Sequence, residues 1–333
     1  MENRGQSMNA ISRRILVSGV SVTIACAISA GAMAQEKFPS HPIQVVVGAN
    51  PGGGIDSFTR ILAELIEPAL GQKLVVENKP GGGGTIGMAL AAKAKPDGYT
   101  LVSTWSSPVT ATVHSLQVPY TTDDFQPIIR LSSGPYVFCV RPDFPADNAK
   151  DFLAHLKAKP NEYVYGNDGV GGTAQLAAER IFKVAGIKQR TLPFSGALEV
   201  AKNLLGGYLP IYIGSILPIK AHVEAGKAKC LLLTSAERNA ILPKAEGLKD
   251  VGLEKAETVL WRGVFAPKGV PTDRVASLEK AFRQAAESPK FKGFVANQGE
   301  TLWLGGPDDL RKLVRSEYAV LGEVSADLGL KKK

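Results

Sequence analysis

Cysteine, histidine and tryptophan are scarce in this 333-residue chain, with three, four and three copies. His41, His114, His155 and His222 fall far apart and never in H-E-x-x-H or a comparable ligand spacing, so no histidine-built metal centre is expected. Three cysteines cannot make the disulfide framework of a small secreted domain. Cys139 and Cys230 each lie in a strand-like apolar run, where a thiol serves as a small buried hydrophobe. An oxidising compartment would equally permit the two to pair. The chain has no G-x-x-x-x-G-K-[ST] phosphate loop and no G-x-S-x-G nucleophile elbow. Ser277-Leu278-Glu279-Lys280 matches S-x-x-K, but inside an amphipathic helical stretch and without companion motifs. A concentrated block of one charge is also missing. The net +8 comes from lysines and arginines interspersed with acids, a solvated basic surface that steers anions mildly rather than a nucleic-acid-binding face. After residue 34 no apolar run approaches the ~20 residues that a membrane span needs.

What is present begins with a leader. Arg13 and Arg14 form a positive n-region, an uncharged stretch runs from Ile15 to Gly31, and Ala32-Met33-Ala34 fits the small-x-small cleavage rule before Gln35. Residues 1–34 are therefore expected to be a signal peptide and the remaining chain to work in the periplasm. Ser12-Arg13-Arg14-Ile15-Leu16 also suits twin-arginine export. Cys26 makes a poor lipobox cysteine, because Thr23 stands where an aliphatic residue is wanted.

The remaining sequence alternates short β-branched runs with longer amphipathic ones. Ile43 to Val47, Leu74 to Glu77 and Tyr99 to Ser103 read as strands, separated by helices at Asp56 to Leu70 and Thr85 to Ala94. Pro96-Asp97-Gly98 marks the turn before the third strand. The rhythm returns with strands at Tyr136 to Val140, Tyr163 to Tyr165, Thr191 to Phe194, Leu209 to Ile213 and Cys230 to Thr234. Helices are expected at Ala149 to Lys157, Thr173 to Ala185, Ala197 to Leu205 and Pro218 to Glu224, then at Asp273 to Glu287, Pro289 to Asn297 and Pro307 to Gly322. Such βαβ alternation implies an α/β protein with parallel sheets covered on both faces.

Three glycine-rich loops join strands to helices. In the first, Ala49-Asn50-Pro51-Gly52-Gly53-Gly54-Ile55-Asp56, the glycines allow close backbone approach to a ligand, and Asp56 is a natural N-cap. Exposed N–H groups at a helix N-terminus attract anions. The second, Gly81-Gly82-Gly83-Gly84-Thr85-Ile86-Gly87, contains a literal G-x-G-x-x-G. A dinucleotide site would put it directly after the first strand, with an acid ending the next strand. Here residues 77–80 intervene and the next strand ends in Ser103-Thr104, so no such cofactor, nor any other, is expected. The third, Gly169-Val170-Gly171-Gly172-Thr173, lies in the second half of the chain. The first and third loops could grip one anion from two sides without an arginine.

At these loops the sequence resembles the receptors of tripartite tricarboxylate transporters, also called Bug receptors. The resemblance rests on Phe38-Pro39-Ser40-His41-Pro42-Ile43, Pro51-Gly52-Gly53-Gly54-Ile55-Asp56, the run from Val76 to Gly87 and Pro96-Asp97-Gly98-Tyr99-Thr100-Leu101. It continues through Gly169-Val170-Gly171-Gly172-Thr173, Leu204-Leu205-Gly206-Gly207, Ala225-Gly226-Lys227 and Trp261-Arg262-Gly263-Val264-Phe265-Ala266-Pro267. It implies a type II periplasmic-binding fold, two doubly wound lobes closing around a ligand cleft, and no enzyme activity. One lobe would comprise residues 35–137 and 263–333, the other 138–262. The resemblance further implies that a small carboxylate is held by Ala49, Asn50, Gly52, Gly53, Gly54, Ile55 and Asp56, by Trp105, Ser106 and Ser107, by Gly169, Gly171, Gly172, Thr173 and Gln175, by Phe194, Ser195, Gly196 and Ala197, and by Gly214 and Ser215. The partners would be the membrane subunits of such a transporter, with the receptor itself a monomer. Family members often carry an aromatic residue at Ala49, a hydroxyl near Ile55, a histidine at Gln175, a small polar residue at Trp105 and an acid near Gly214. These departures imply a roomier, more apolar pocket with one aromatic face, and a ligand without an amino group. Competing expectations are a ligand-loaded partner of a sensor kinase and a carboxylate-processing enzyme, which would need an acid–base pair in the cleft.

Overall fold

The computed structural model describes residues 37–330; the expected leader and Cys26 lie outside the described residues. Residues 37–40 fall in a unit of their own that holds a cis peptide between Phe38 and Pro39, and the chain from His41 onward forms the body.

The body opens with β1 (Ile43–Val47), α1 (Gly54–Leu70), β2 (Leu74–Asn78), α2 (Thr85–Ala92) and β3 (Thr100–Trp105). Phe58, Leu62, Ile66 and Leu70 recur at three- and four-residue spacing on α1 and are buried, so this helix forms by laying one apolar stripe on the sheet. β1 pairs in parallel with β2 and β3, as the βαβ rhythm requires.

The next strand, β4 (Phe125–Val140), is sixteen residues long and was legible only in its last five. It is followed by α3 (Ala149–Ala158), β5 (Val164–Asn167), α4 (Thr173–Ala185), β6 (Arg190–Pro193), α5 (Ala197–Leu205), β7 (Ile211–Ser215), α6 (Leu217–Glu224) and β8 (Lys229–Leu233). The chain ends with β9 (Val259–Pro267), α7 (Thr272–Ala286), α8 (Pro289–Asn297), β10 (Thr301–Gly305) and α9 (Pro307–Asp327). The sheet runs β2-β1-β3-β9-β4-β7-β5-β6, with β10 and β8 also on β4. β4 works in two halves. Residues 125–135 pair antiparallel with β9 and, in part, with β10, whereas residues 136–140 pair antiparallel with β7 and β8. The expected all-parallel sheets are thus mixed, because long-range partners flank β4 on both sides.

One core cluster centres on Val46, Met88, Val102, Trp261, Phe265 and Leu310, and a second on Phe138, Phe152, Tyr165, Ile181 and Phe182. Cys139 and Cys230 face each other across β4 and β8 and are joined as a disulfide. Of the two alternatives that the sequence leaves open, free thiols or a pair, the structure has the pair. Both were rightly placed on apolar strands, but pairing follows from a register that brings together positions 91 residues apart.

Candidate functional site

The loops before α1 and α4 are built alike. Gly52 and Gly171 adopt left-handed φ of 79° and 62°, a conformation that a side chain would strain. The next residues, Gly53 and Gly172, are the N-caps, with extended ψ of 164° and 162°. The third helical residue then folds back in each case. Asp56 Oδ2 accepts from the Gly52 amide at 2.8 Å, and Gln175 Oε1 from the Gly171 amide at 2.8 Å. Tight turns close both loops, Gly53 to the Asn50 carbonyl at 3.1 Å and Gly172 to the Gly169 carbonyl at 3.2 Å. Asp56 is therefore not the N-cap expected from sequence. It braces the loop from within the first turn, receiving Asn78 Nδ2 at 2.8 Å and Arg60 Nε at 3.0 Å as well. Burial pushes its carboxyl up, but the bonds from Arg60, Gly52 and Asn78 outweigh that and hold it below the usual range.

This bracing leaves donors free. Among the described residues, the amides of Gly54, Ile55 and Asp56 on α1, and of Ala174 and Gln175 on α4, have no hydrogen-bond acceptor. First-turn amides of this kind, with the positive end of the helix dipole behind them, attract anions in general. α5 repeats the design more openly. Gly196 is its N-cap, and Glu199 accepts from the Ser195 amide at 3.0 Å and hydroxyl at 2.6 Å.

The remaining expected residues divide by environment. The third loop is covered, its residues from Gly171 to Gln175 being buried, whereas Asn50, Gly52 and Gly54 are exposed and Ala49 half-exposed. The cover comes from the segment after β3. Ser107 Oγ accepts the Thr173 amide at 3.1 Å, Ser106 Oγ donates to Thr173 Oγ1 at 3.2 Å, and a side chain at 171 would collide with Ser115. Ser107 also opens the π-helical turn Ser107–Ala111, an irregularity frequent at functional sites. No hydrogen bond joins the first loop to the third among the described residues. Phe194 packs towards Gly166, Ser195 is exposed, and Gly196, Ala197 and Ser215 are half-buried.

Two of the expected departures read differently in three dimensions. Gly214 does not widen a pocket, because a Cβ there would lie 2.5 Å from the Tyr212 hydroxyl, which donates to the Ser215 carbonyl at 2.6 Å. Ile55 is buried rather than lining open space. Trp105 stays half-exposed, its ring lying over Gly84, where a Cβ would approach it to 2.7 Å, and beside Pro108. The glycines of the second loop serve chain packing. A side chain at Gly48 would meet the Gly84 carbonyl at 2.7 Å, so they let α2 press on the end of β1.

Sequence reasoning missed three charged groups here. Asp168, mostly covered in the third loop, has no side-chain hydrogen-bond partner among the described residues, and burial raises its pKa to about 6 against the opposing effect of its own amide. Arg262 and Glu300 form a buried ion pair on β9 and beside β10. Only their contact across the sheet distinguishes them from surface charges, and no local pattern announces it.

A mixed α/β sheet crossed by long shared strands, similar to solved periplasmic transporter and binding proteins, defines a solute-binding receptor with the type II periplasmic-binding fold. The chain belongs to the tripartite tricarboxylate transporter family receptors, whose family model matches residues 58–330. It is a receptor of the periplasmic solute-binding type and not an enzyme. A UPF0065 protein of Bordetella pertussis is 30% identical over 309 residues, covering 92% of this chain and 96% of that protein. The solved structure of Rpa4515 from R. palustris with adipate is similar at a TM-score of 0.78 and 26% identity, covering 88% of this chain and 98% of its own. MatC from Rhodopseudomonas palustris with bound malate gives a TM-score of 0.77 and 25% identity, covering 86% and 99%.

Proposed function

We propose that this receptor captures a small dicarboxylate or aromatic carboxylate in the periplasm, after cleavage near Ala34, and delivers it as a monomer to the membrane subunits of a tripartite tricarboxylate transporter. The observation that carries the reading is the duplicated loop design, which leaves first-turn amides of α1 and α4 without acceptors. Charge-assisted bonds from such amides are about twice as strong as neutral ones. Malate and adipate, bound by the two solved relatives, are dicarboxylates of different length. Residues 35–137 with 263–333, and residues 138–262, are read as the two lobes. Support comes from β4, whose two halves serve different neighbours, and from β9, which carries the chain back to β3.

The test is a thermal-shift screen against mono- and dicarboxylates, since a ligand at 100 times its Kd adds about 2.7 kcal/mol of stability. A screen in which no carboxylate raises the melting temperature would sink the reading.

Trp105 is assigned the apolar body of the ligand. It ends β3, and ligands of open α/β sheets bind beyond the carboxyl ends of strands. Burial against one ring face contributes roughly 1–3 kcal/mol. Trp105→Ala should therefore weaken binding about 10- to 100-fold while the ligand-free melting temperature stays nearly constant. Loss of several degrees with unchanged affinity would make Trp105 a packing residue only, against Gly84 and the cluster around Phe138 and Tyr165.

A further inference from the structure

We infer that Arg262 is a ligand-contacting residue that completes the first glycine loop into a bidentate carboxylate clamp. The inference rests on the carboxylate reading above and names the residue that sets its strength in this chain.

The side chain is held for the purpose. Arg262 is 6% exposed, and Glu300 is 5% exposed. Nε donates to both Glu300 oxygens at 2.9 and 3.0 Å, and Nη2 donates to Oε1 at 2.7 Å. Ser132 Oγ fixes Glu300 in turn, donating to Oε2 at 2.6 Å. The guanidinium also lies 5.3 Å from the Phe58 ring centroid, so it is packed as well as paired. One edge is therefore spent on Glu300. Among the described residues, Nη1 has no hydrogen-bond partner.

The end of the guanidinium that carries Nη2 and the free Nη1 lies beside the first loop. A Cβ at Gly54 would sit 3.4 Å from Nη2 and 3.9 Å from Nη1. Gly54 is the first residue of α1, exposed to solvent, and its amide lacks an acceptor. A cation at a helix N-terminus opposes the dipole and is ordinarily avoided. Here Glu300 neutralises the cation itself but not the dipole or the orphan amides, and Asp56 is fully engaged with Gly52, Arg60 and Asn78. A carboxylate placed at Gly54 resolves the conflict. One oxygen would take α1 amides and the other Nη1, while Nε and Nη2 keep Glu300, a division that a five-donor guanidinium can make and an ammonium cannot.

The test uses adipate as the probe, titrated by calorimetry into wild-type protein and three variants. Glu300→Gln keeps one acceptor oxygen for Arg262, lets the Ser132 hydroxyl turn to accept from the new amide nitrogen and removes the competing negative charge, so adipate affinity should rise several-fold. Arg262→Met with Glu300→Gln removes the pair without stranding a buried charge. That double variant should lose about 10- to 100-fold in affinity, the worth of one or two charge-assisted bonds, while keeping a cooperative melt. Arg262→Lys should lose affinity too, because an ammonium cannot hold Glu300 and reach Gly54 together. Unchanged affinity in the double variant, or a fall in Glu300→Gln, overturns the assignment and leaves the pair a structural strut. If the double variant does not fold, Glu300→Gln decides alone. If wild-type protein binds neither adipate nor any carboxylate of the screen, the carboxylate reading fails and this assignment with it. Binding by wild type and the double variant alike defeats only Arg262.

Discussion

Reducing the Cys139–Cys230 bridge should lower the melting temperature by roughly 10 °C. The bridge closes a loop of 91 residues between neighbouring strands of the sheet. In the chain-entropy view, a loop of that size contributes about 4–5 kcal/mol by restricting the unfolded chain. At roughly 2–4 °C per kcal/mol, the shift falls near 10 °C. Both sulfurs are buried in apolar surroundings, so a Cys139→Ala/Cys230→Ala variant loses the tether but keeps most of the packing. It should melt like reduced wild type and not respond to reductant. Wild-type protein that titrates both thiols when denatured without reductant would show the bridge absent and remove this contribution.

Glu317→Gln should make stability much less dependent on pH. Glu317 on α9 is mostly covered, and its carboxylate accepts from Thr110 Oγ1 at 2.6 Å and from the Trp261 indole at 2.7 Å. Burial raises its pKa from the ordinary 4.5 to about 7, although the two donors and the Arg180 charge pull the other way. The folded state thus holds a proton that the unfolded state has released. Stability from this group is fully present below about pH 4.5, falls as pH rises through 7 and is lost above that. The shift corresponds to about 2–4 kcal/mol. Glutamine can accept from both donors with its carbonyl and carries no charge. The variant should gain on wild type by several degrees at pH 8 and show little difference at pH 4.5. Parallel melting profiles for the two proteins across this range would contradict the assigned environment.

Local pattern made most of the helices legible. α4 and α5 begin and end where their apolar spacing and glycine flanks place them, because a helix is specified within its own segment. β9 was not legible as a strand. Arg262 and Gly263 interrupt its apolar run, and both become tolerable only because β3 and β4 supply partners on either side. The first half of β4 was hidden for the same reason, since Pro127, Gly134 and Pro135 break its apolar run. In the candidate site, the glycine loops were visible because backbone conformation at Gly52 and Gly171 is a local demand. Arg262 and Glu300 were not, since 38 residues separate them and only sheet pairing makes them neighbours. Gly214 shows the opposite error. Absence of a side chain suggested space, yet the Tyr212 hydroxyl fills it.

The central claim is that this receptor recognises its ligand through an ionised carboxylate held by helix-terminal amides. The most direct measurement is a calorimetric titration with the tightest carboxylate of the screen and with its matching amide, at one pH and ionic strength. An unsatisfied buried donor costs about 1–3 kcal/mol, and the charge-assisted bonds are lost as well, so the amide should bind at least about 100-fold more weakly or not at all. Equal affinities for acid and amide would contradict the account.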